Sequence, residues 1–232
     1  MLYPILNASR TLIDLSGIWD FKLDDGTGLE NGWHERKLED SLTIAVPASY
    51  NDQKTSEEIR NHYGYAFYQR ELSIPKIFYG QRIVLRFGAV THYAKVYLNG
   101  ELICEHKGGF LPFEAEVQDK IKYEDVNILT VAVDNRIGYD TLPVGSESGD
   151  SMLGTAMSQI PGIKTKKKNI PNFDFFNYAG IIRPVKVYTT PLNYIEDITI
   201  VPSIYGDDAL VSYNIETVGE GTVHVTVYSQ FE

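Results

Sequence analysis

Apolar and polar positions alternate with period two along most of the chain, the pattern of strands that bury one face. Ile18–Leu23, Leu42–Val46, Ala66–Ile74 and Arg82–Phe87 read as strands on this basis. In Tyr93–Leu98, Ala94, Val96 and Leu98 face one way while Tyr93, Lys95 and Tyr97 face the other. Asn99-Gly100 follows, and both residues tolerate positive φ, so a tight turn into Glu101–His106 is expected. Asn127–Asp134, Arg183–Thr189, Ile195–Val201, Ala209–Ile215 and Thr222–Tyr228 continue the series. The one helical signal is Thr55-Ser56-Glu57-Glu58 ahead of Ile59, which fits a capping box over about one turn. Many short strands and little helix predict an all-β fold, a β-sandwich.

The rhythm breaks in two places. Arg136 to about Pro171 has no clear period and is rich in Gly, Pro, Ser and Lys. Loops beyond about 15 residues are uncommon in compact domains and are either functional or disordered; both readings stand here. The second break is at Pro191, after which three strand-like runs look like the opening of another sandwich. An immunoglobulin-like sandwich takes about seven strands and about 100 residues, and only about forty residues remain. The predicted organisation is therefore one domain over 1–190 and the first strands of a second over 191–232, with the chain stopping inside it.

Composition narrows the function classes. At 43% hydrophobic and 22% charged, the 232-residue chain can bury a sizeable core. Its 16 tyrosines suit sugar recognition, and they suit β-sheet packing equally. A net charge of −10 argues against a nucleic-acid partner, which needs a surplus of Lys and Arg. The only basic run, Lys164, Lys166, Lys167 and Lys168, lies in a polar stretch and reads as a solvated loop. A single cysteine, Cys104, excludes an internal disulfide framework and a cysteine-based zinc site. The opening residues lack a signal-peptide pattern, and no run approaches the ~18 apolar residues that cross a bilayer. A soluble, cytoplasmic protein without a membrane partner is the expectation.

Candidate chemistry is sparse. There is no G-x-S-x-G elbow. His34, His62, His92, His106 and His224 are scattered without metal-binding spacing and read as surface or strand histidines. Gly108-Gly109 leads into Phe110-Leu111-Pro112-Phe113, a strand connection with no helix to cradle a phosphate. The best single candidate is Asp174, within Asn172-Phe173-Asp174-Phe175-Phe176-Asn177-Tyr178-Ala179-Gly180. A short carboxylate can accept hydrogen bonds from two neighbouring sugar hydroxyls while aromatics exclude water. The competing reading is that Asp174 caps a turn and the aromatics belong to the core.

Asp174–Ile181 with Arg183 resembles the signature stretch of the sugar-binding domain in family 2 β-glucuronidases. Leu15–Phe21, Ile44–Gln53, Phe67-Tyr68-Gln69-Arg70, Gly80–Phe87, Ala89–Val96, His106–Phe110 and Val133-Asp134-Asn135 resemble further motifs of that family, in its order and across nearly the whole chain. The resemblance implies a jelly-roll β-sandwich to about Thr190, then an immunoglobulin-like sandwich, then a TIM barrel of ~250 residues. In the family both catalytic glutamates lie in that barrel, as do the residues that recognise the uronate carboxylate. This chain would then supply no catalytic residue. Only Asp174 carries over, as the aspartate that reaches sugar hydroxyls; Asn177 and Tyr178 read as structural. The longer loop before Asn172 departs from the best-known bacterial pattern.

The implied partner is a glucuronide or another glycoside; no cofactor or metal is implied, and the parent is expected to be a homo-oligomer. A free-standing carbohydrate-binding module, or the same domain of a family 2 β-galactosidase or β-mannosidase, are the alternatives.

Overall fold

The computed structural model of the chain describes residues 3–147 and 167–228. In chain order its strands begin β1 (Leu12–Asp14), β2 (Gly17–Leu23), β3 (Leu42–Val46), β4 (Tyr65–Ser73), β5 (Arg82–Phe87), β6 (Val90–Thr91), β7 (Tyr93–Leu98) and β8 (Glu101–Lys107). They continue with β9 (Phe113–Glu116), β10 (Val126–Asp134), β11 (Gly145–Glu147), β12 (Asn169–Pro171), β13 (Gly180–Ile181), β14 (Val185–Thr190), β15 (Tyr194–Tyr205) and β16 (Asp208–Val218). The one α-helix among the described residues is a single turn, α1 (Glu57–Arg60). No helix among them is long and apolar enough to cross a membrane.

Two antiparallel sheets form the jelly-roll sandwich, one ordered β3-β2-β4-β10-β7-β8 and the other β1-β14-β5-β9. Between them lies one core in which Trp19, Phe21, Tyr68, Phe87, Leu129 and Val131 are buried. The alternation in β7 works as expected: Ala94, Val96 and Leu98 enter the core. Asn99 and Gly100 take φ of 53° and 85°, which lets β7 turn directly into β8. The Asn99 side chain also accepts a bond from the Ile128 amide and donates to Asn127, so the turn is tied to the start of β10.

The central strands β4 and β10 are buried on both faces. The outer face of the large sheet is covered by residues 24–40, whose Leu29, Trp33 and Leu38 pack on Phe67, Tyr97 and Ala132. Gln69 anchors this cover from within the sheet: its oxygen takes the Leu38 amide at 2.8 Å and its nitrogen reaches the Arg36 carbonyl at 2.9 Å.

Three sequence expectations need correction. Ser56 stands at the N-cap of α1 but its side chain makes no capping bond, so the turn forms without the capping box. The aperiodic segment after Arg136 is not uniform: β11 and β12 pair across it, Gly145 with Pro171 and Glu147 with Asn169. Strands this short are invisible to a period-two search. The part of the loop at 148–166, with Lys164 and Lys166, lies outside the described residues. Thr222–Tyr228, expected as a strand, is irregular and exposed. Among the described residues β15 and β16 pair only with each other, so the alternating residues 222–228 have no ladder to join.

Leu129 sits on the central strand with its side chain fully in the core. Leu129→Ala is expected to cost about 2–5 kcal/mol, read as a lower urea midpoint with an unchanged slope.

Candidate functional site

Residues 172–181 comprise the link that follows β12 and the strand β13 itself. The C-terminal half is stitched into the fold by backbone pairing. β13 pairs with β6, setting Gly180 opposite Thr91. The Ala48 amide donates to the Ile181 carbonyl at 2.9 Å, and the Tyr50 amide to the Ala179 carbonyl at 3.0 Å. Gly180 has a φ of 134°, and a Cβ there would lie 2.7 Å from the Tyr68 hydroxyl and 3.0 Å from the Ala48 carbonyl, so only glycine fits. Asn51 completes the seam, accepting the Ala179 amide at 2.8 Å while donating to the Arg60 carbonyl at 2.9 Å. At the other end, the Asn172 amide donates to the Val144 carbonyl at 3.3 Å.

Asn177 forms the internal anchor. Its amide nitrogen donates to the Asn135 carbonyl at 3.1 Å, and its oxygen lies 2.7 Å from His92 Nε2. Asn135, 1% exposed at the end of β10, is itself a junction. Its side-chain nitrogen donates to the Tyr50 hydroxyl and the His62 carbonyl, at 2.7 and 2.6 Å. Its side-chain oxygen accepts the Gly64 amide at 2.9 Å, and its carbonyl also takes the Asn169 side chain at 2.9 Å. Burial raises the pKa of the Tyr50 hydroxyl well beyond the usual phenol range, so it stays protonated. Burial also holds His92 below the ordinary imidazole value, against the opposing pull of its bond to Asn177, of Asp134 and of the Leu142 backbone.

Between these fixed points the segment is open. Asp174 is exposed and makes no hydrogen bond or ion pair among the described residues. The rings of Phe173 and Phe175 stack at 4.2 Å, and Phe175 is 59% exposed. Phe176 lies under the Arg60 guanidinium, 4.6 Å away, and Arg60 also pairs with Asp52. Asp174 therefore caps no turn among the described residues, and none of these three phenylalanines joins the buried core. A groove of about 900 Å³ runs alongside, lined among others by Asn51, His62, Asn135, Phe175, Phe176 and Asn177; Asp174 is not among its lining residues. Among the described residues, no group of three His, Cys, Asp or Glu could hold a metal ion.

The arrangement presents an unengaged carboxylate, flanked in sequence by two phenylalanines whose rings stack on each other, on a segment secured on either side. Such a carboxylate can accept hydrogen bonds from ligand hydroxyls. Sequence reasoning missed the anchors His92, Asn135 and Asn51. One signal was available for Asn135, an amide that follows the apolar run Val131-Ala132-Val133 by one residue.

Comparison with known proteins matches residues 12–191 to the model of the glycosyl hydrolases family 2 sugar binding domain. A β-glucuronidase of Paenibacillus borealis is 37% identical over 241 residues, covering 99% of this chain and 38% of that protein. Among solved structures, an uncultured Clostridium sp. β-glucuronidase is 45% identical with a TM-score of 0.81, covering 94% of this chain and 35% of that one. A Ruminococcus gnavus β-glucuronidase in complex with D-glucuronic acid is 35% identical with a TM-score of 0.83, covering 94% and 36%. The chain thus spans somewhat more than a third of the length of the relatives it matches.

Asn135→Ala would leave the Tyr50 hydroxyl, the His62 carbonyl and the Gly64 amide without their partner, each costing about 1–3 kcal/mol where buried. An overall loss of about 3 kcal/mol in urea denaturation is expected, with faster deuterium exchange across residues 172–178. The depressed His92 pKa adds a pH dependence. A group whose folded pKa lies below its unfolded value stabilises the fold above the unfolded value, 6.5, and loses that contribution as pH falls through the folded one. Wild type should lose more stability on acidification below pH 6.5 than His92→Gln, compared by urea midpoints.

Proposed function

The chain belongs to glycosyl hydrolase family 2 through its sugar-binding domain, and on that premise we propose that it serves a retaining β-glucuronidase that hydrolyses β-D-glucuronides. The observation that carries this reading is the exposed, unengaged Asp174 carboxylate, flanked in sequence by two phenylalanines whose rings stack on each other, on an anchored segment. Asp174 accepts hydrogen bonds from sugar hydroxyls and so fixes the orientation of the ring, a positioning contribution to catalysis. The bond-breaking pair of carboxylates belongs to the barrel that the family resemblance implies. One glutamate protonates the leaving oxygen and the other forms a glycosyl-enzyme intermediate.

The domain division is part of the proposal. Residues 1–190 make the jelly roll, and 191–232 open an immunoglobulin-like sandwich. The β15–β16 hairpin supports this reading, since it forms a separate two-stranded sheet with many exposed apolar residues. The sandwich reaches it through Arg82, whose guanidinium lies 4.3 Å over the Tyr194 ring. A cytoplasmic setting is also proposed. It suits a chain whose one cysteine is free, with its thiol pushed up to about 11 by burial and therefore unreactive.

The purified 232-residue chain is expected to show no turnover of a chromogenic glucuronide. In the complete enzyme, Asp174→Ala should lower kcat/KM about 10- to 100-fold, the range for losing hydrogen bonds to a charged acceptor. Unchanged kinetics would remove Asp174 from the sugar contact. Calorimetry with glucuronic acid separates the alternative module: clear binding by the isolated chain would favour a free-standing carbohydrate-binding domain.

A further inference from the structure

We infer that His92 is a positioning residue for Asp174, holding the sugar-contacting segment from the core of the sandwich through a single directed hydrogen bond to Asn177. The inference rests on the proposed sugar contact of Asp174.

The direction of the bond follows from its partners. A backbone carbonyl can only accept, so the Asn177 side-chain atom 3.1 Å from the Asn135 carbonyl must be its nitrogen. The Asn177 oxygen then faces His92 Nε2 at 2.7 Å. That oxygen can only accept as well, so Nε2 must carry a proton. The other ring nitrogen, Nδ1, is buried without a hydrogen-bond partner. The neutral ring with its proton on Nε2 satisfies both facts, and the depressed pKa of His92 agrees with it.

His92 is held rigidly enough to serve as a fixed point. It is 2% exposed. Its amide donates to the Asp134 carbonyl at 2.9 Å, and its own carbonyl accepts the Gly108 amide at 3.1 Å. Gly109 closes over the ring so tightly that a Cβ there would lie 3.1 Å from Nδ1. The neighbouring Thr91 hydroxyl donates to the Gly109 carbonyl at 3.1 Å, fixing that closure. Asn177 is three positions beyond Asp174, and its side chain makes the first hydrogen bonds met on that side, after the contact of Phe176 with Arg60. Without them, no hydrogen bond would tie the segment to the rest of the fold between Asn172 and the Ala179 seam, and only the Phe176–Arg60 contact would remain.

Two isosteres separate this role from general packing. A glutamine amide nitrogen reaches the place of Nε2, whereas an asparagine nitrogen reaches only that of Nδ1. Both keep a buried amide at the site. In the complete enzyme, His92→Gln should retain kcat/KM for p-nitrophenyl β-D-glucuronide within about threefold, whereas His92→Asn should lose about tenfold, the worth of one hydrogen bond. Because His92 acts through Asp174, His92→Asn should cost nothing further in an Asp174→Ala background. Deuterium exchange of the peptide spanning 172–178 should quicken in His92→Asn and not in His92→Gln. Equal exchange in the two variants, or a full tenfold cost of His92→Asn in the Asp174→Ala background, would overturn the inference. A silent Asp174→Ala would remove the sugar contact instead, and the exchange contrast then decides the His92 anchor by itself. Melting temperatures of both variants confirm that the comparison is made on folded protein.

Discussion

The central strand β10 leads directly into Asn135, a buried amide whose hydrogen bonds all leave the sheet. Its own amide donates to the Gly64 carbonyl, its side chain engages Tyr50, His62 and Gly64, and its carbonyl gathers Asn169 and Asn177. A buried polar group costs about 1–3 kcal/mol for each unmade bond, so this position is tolerable only when its surroundings are complete. That condition works in reverse as a constraint. Residues 62–64, the start of β12 and the segment after Asn172 cannot move independently, because each satisfies the same residue. The rigidity of β10, fixed by burial on both faces, is thereby passed to loops that have little packing of their own.

Those loops carry the proposed sugar contact, and their design is a contrast of fixed and free. Backbone and amide groups at Asn172, Asn177 and Ala179 are consumed by the fold, while the Asp174 carboxylate is left over. Exposed, the carboxylate is solvated and costs nothing. Covered by a ligand, it must recover its lost water from ligand hydroxyls, so an analogue without those hydroxyls is penalised more strongly than a good ligand is rewarded. The net charge of −10 gives no help in drawing in an anionic glucuronide. A contribution through hydroxyl hydrogen bonds is consistent with that charge.

The strands were legible where one face meets the core and the other meets water, as in β7 with its Asn99-Gly100 turn. Legibility failed where the physics is not local. β11, β12 and β13 are two or three residues long and exist because partners lie across from them. The alternation in Thr222–Tyr228 is real, yet no described strand lies beside it to turn that pattern into a ladder. The candidate carboxylate was readable because its neighbours in sequence are aromatic. Its supports were not: His92 and Asn177 are 85 positions apart, Asn135 and Asn177 are 42, and Asn51 and Ala179 are 128. Sequence records the residue types at these positions, but only the folded chain pairs them.

That separation explains how the domain divides its labour. A carboxylate on an unsupported loop would have to be ordered each time a sugar bound, at about 1–2 kcal/mol for every backbone residue immobilised. Anchoring Asn177 and Ala179 makes part of that ordering a property of folding instead of binding. The anchors are therefore drawn from residues already held by the sandwich: His92 beside β6, Asn51 beside α1 and Asn135 at the end of β10. None needs to touch the sugar. What they supply is a short reach between fixed points, within which Asp174 and its stacked phenylalanines remain available to a ligand.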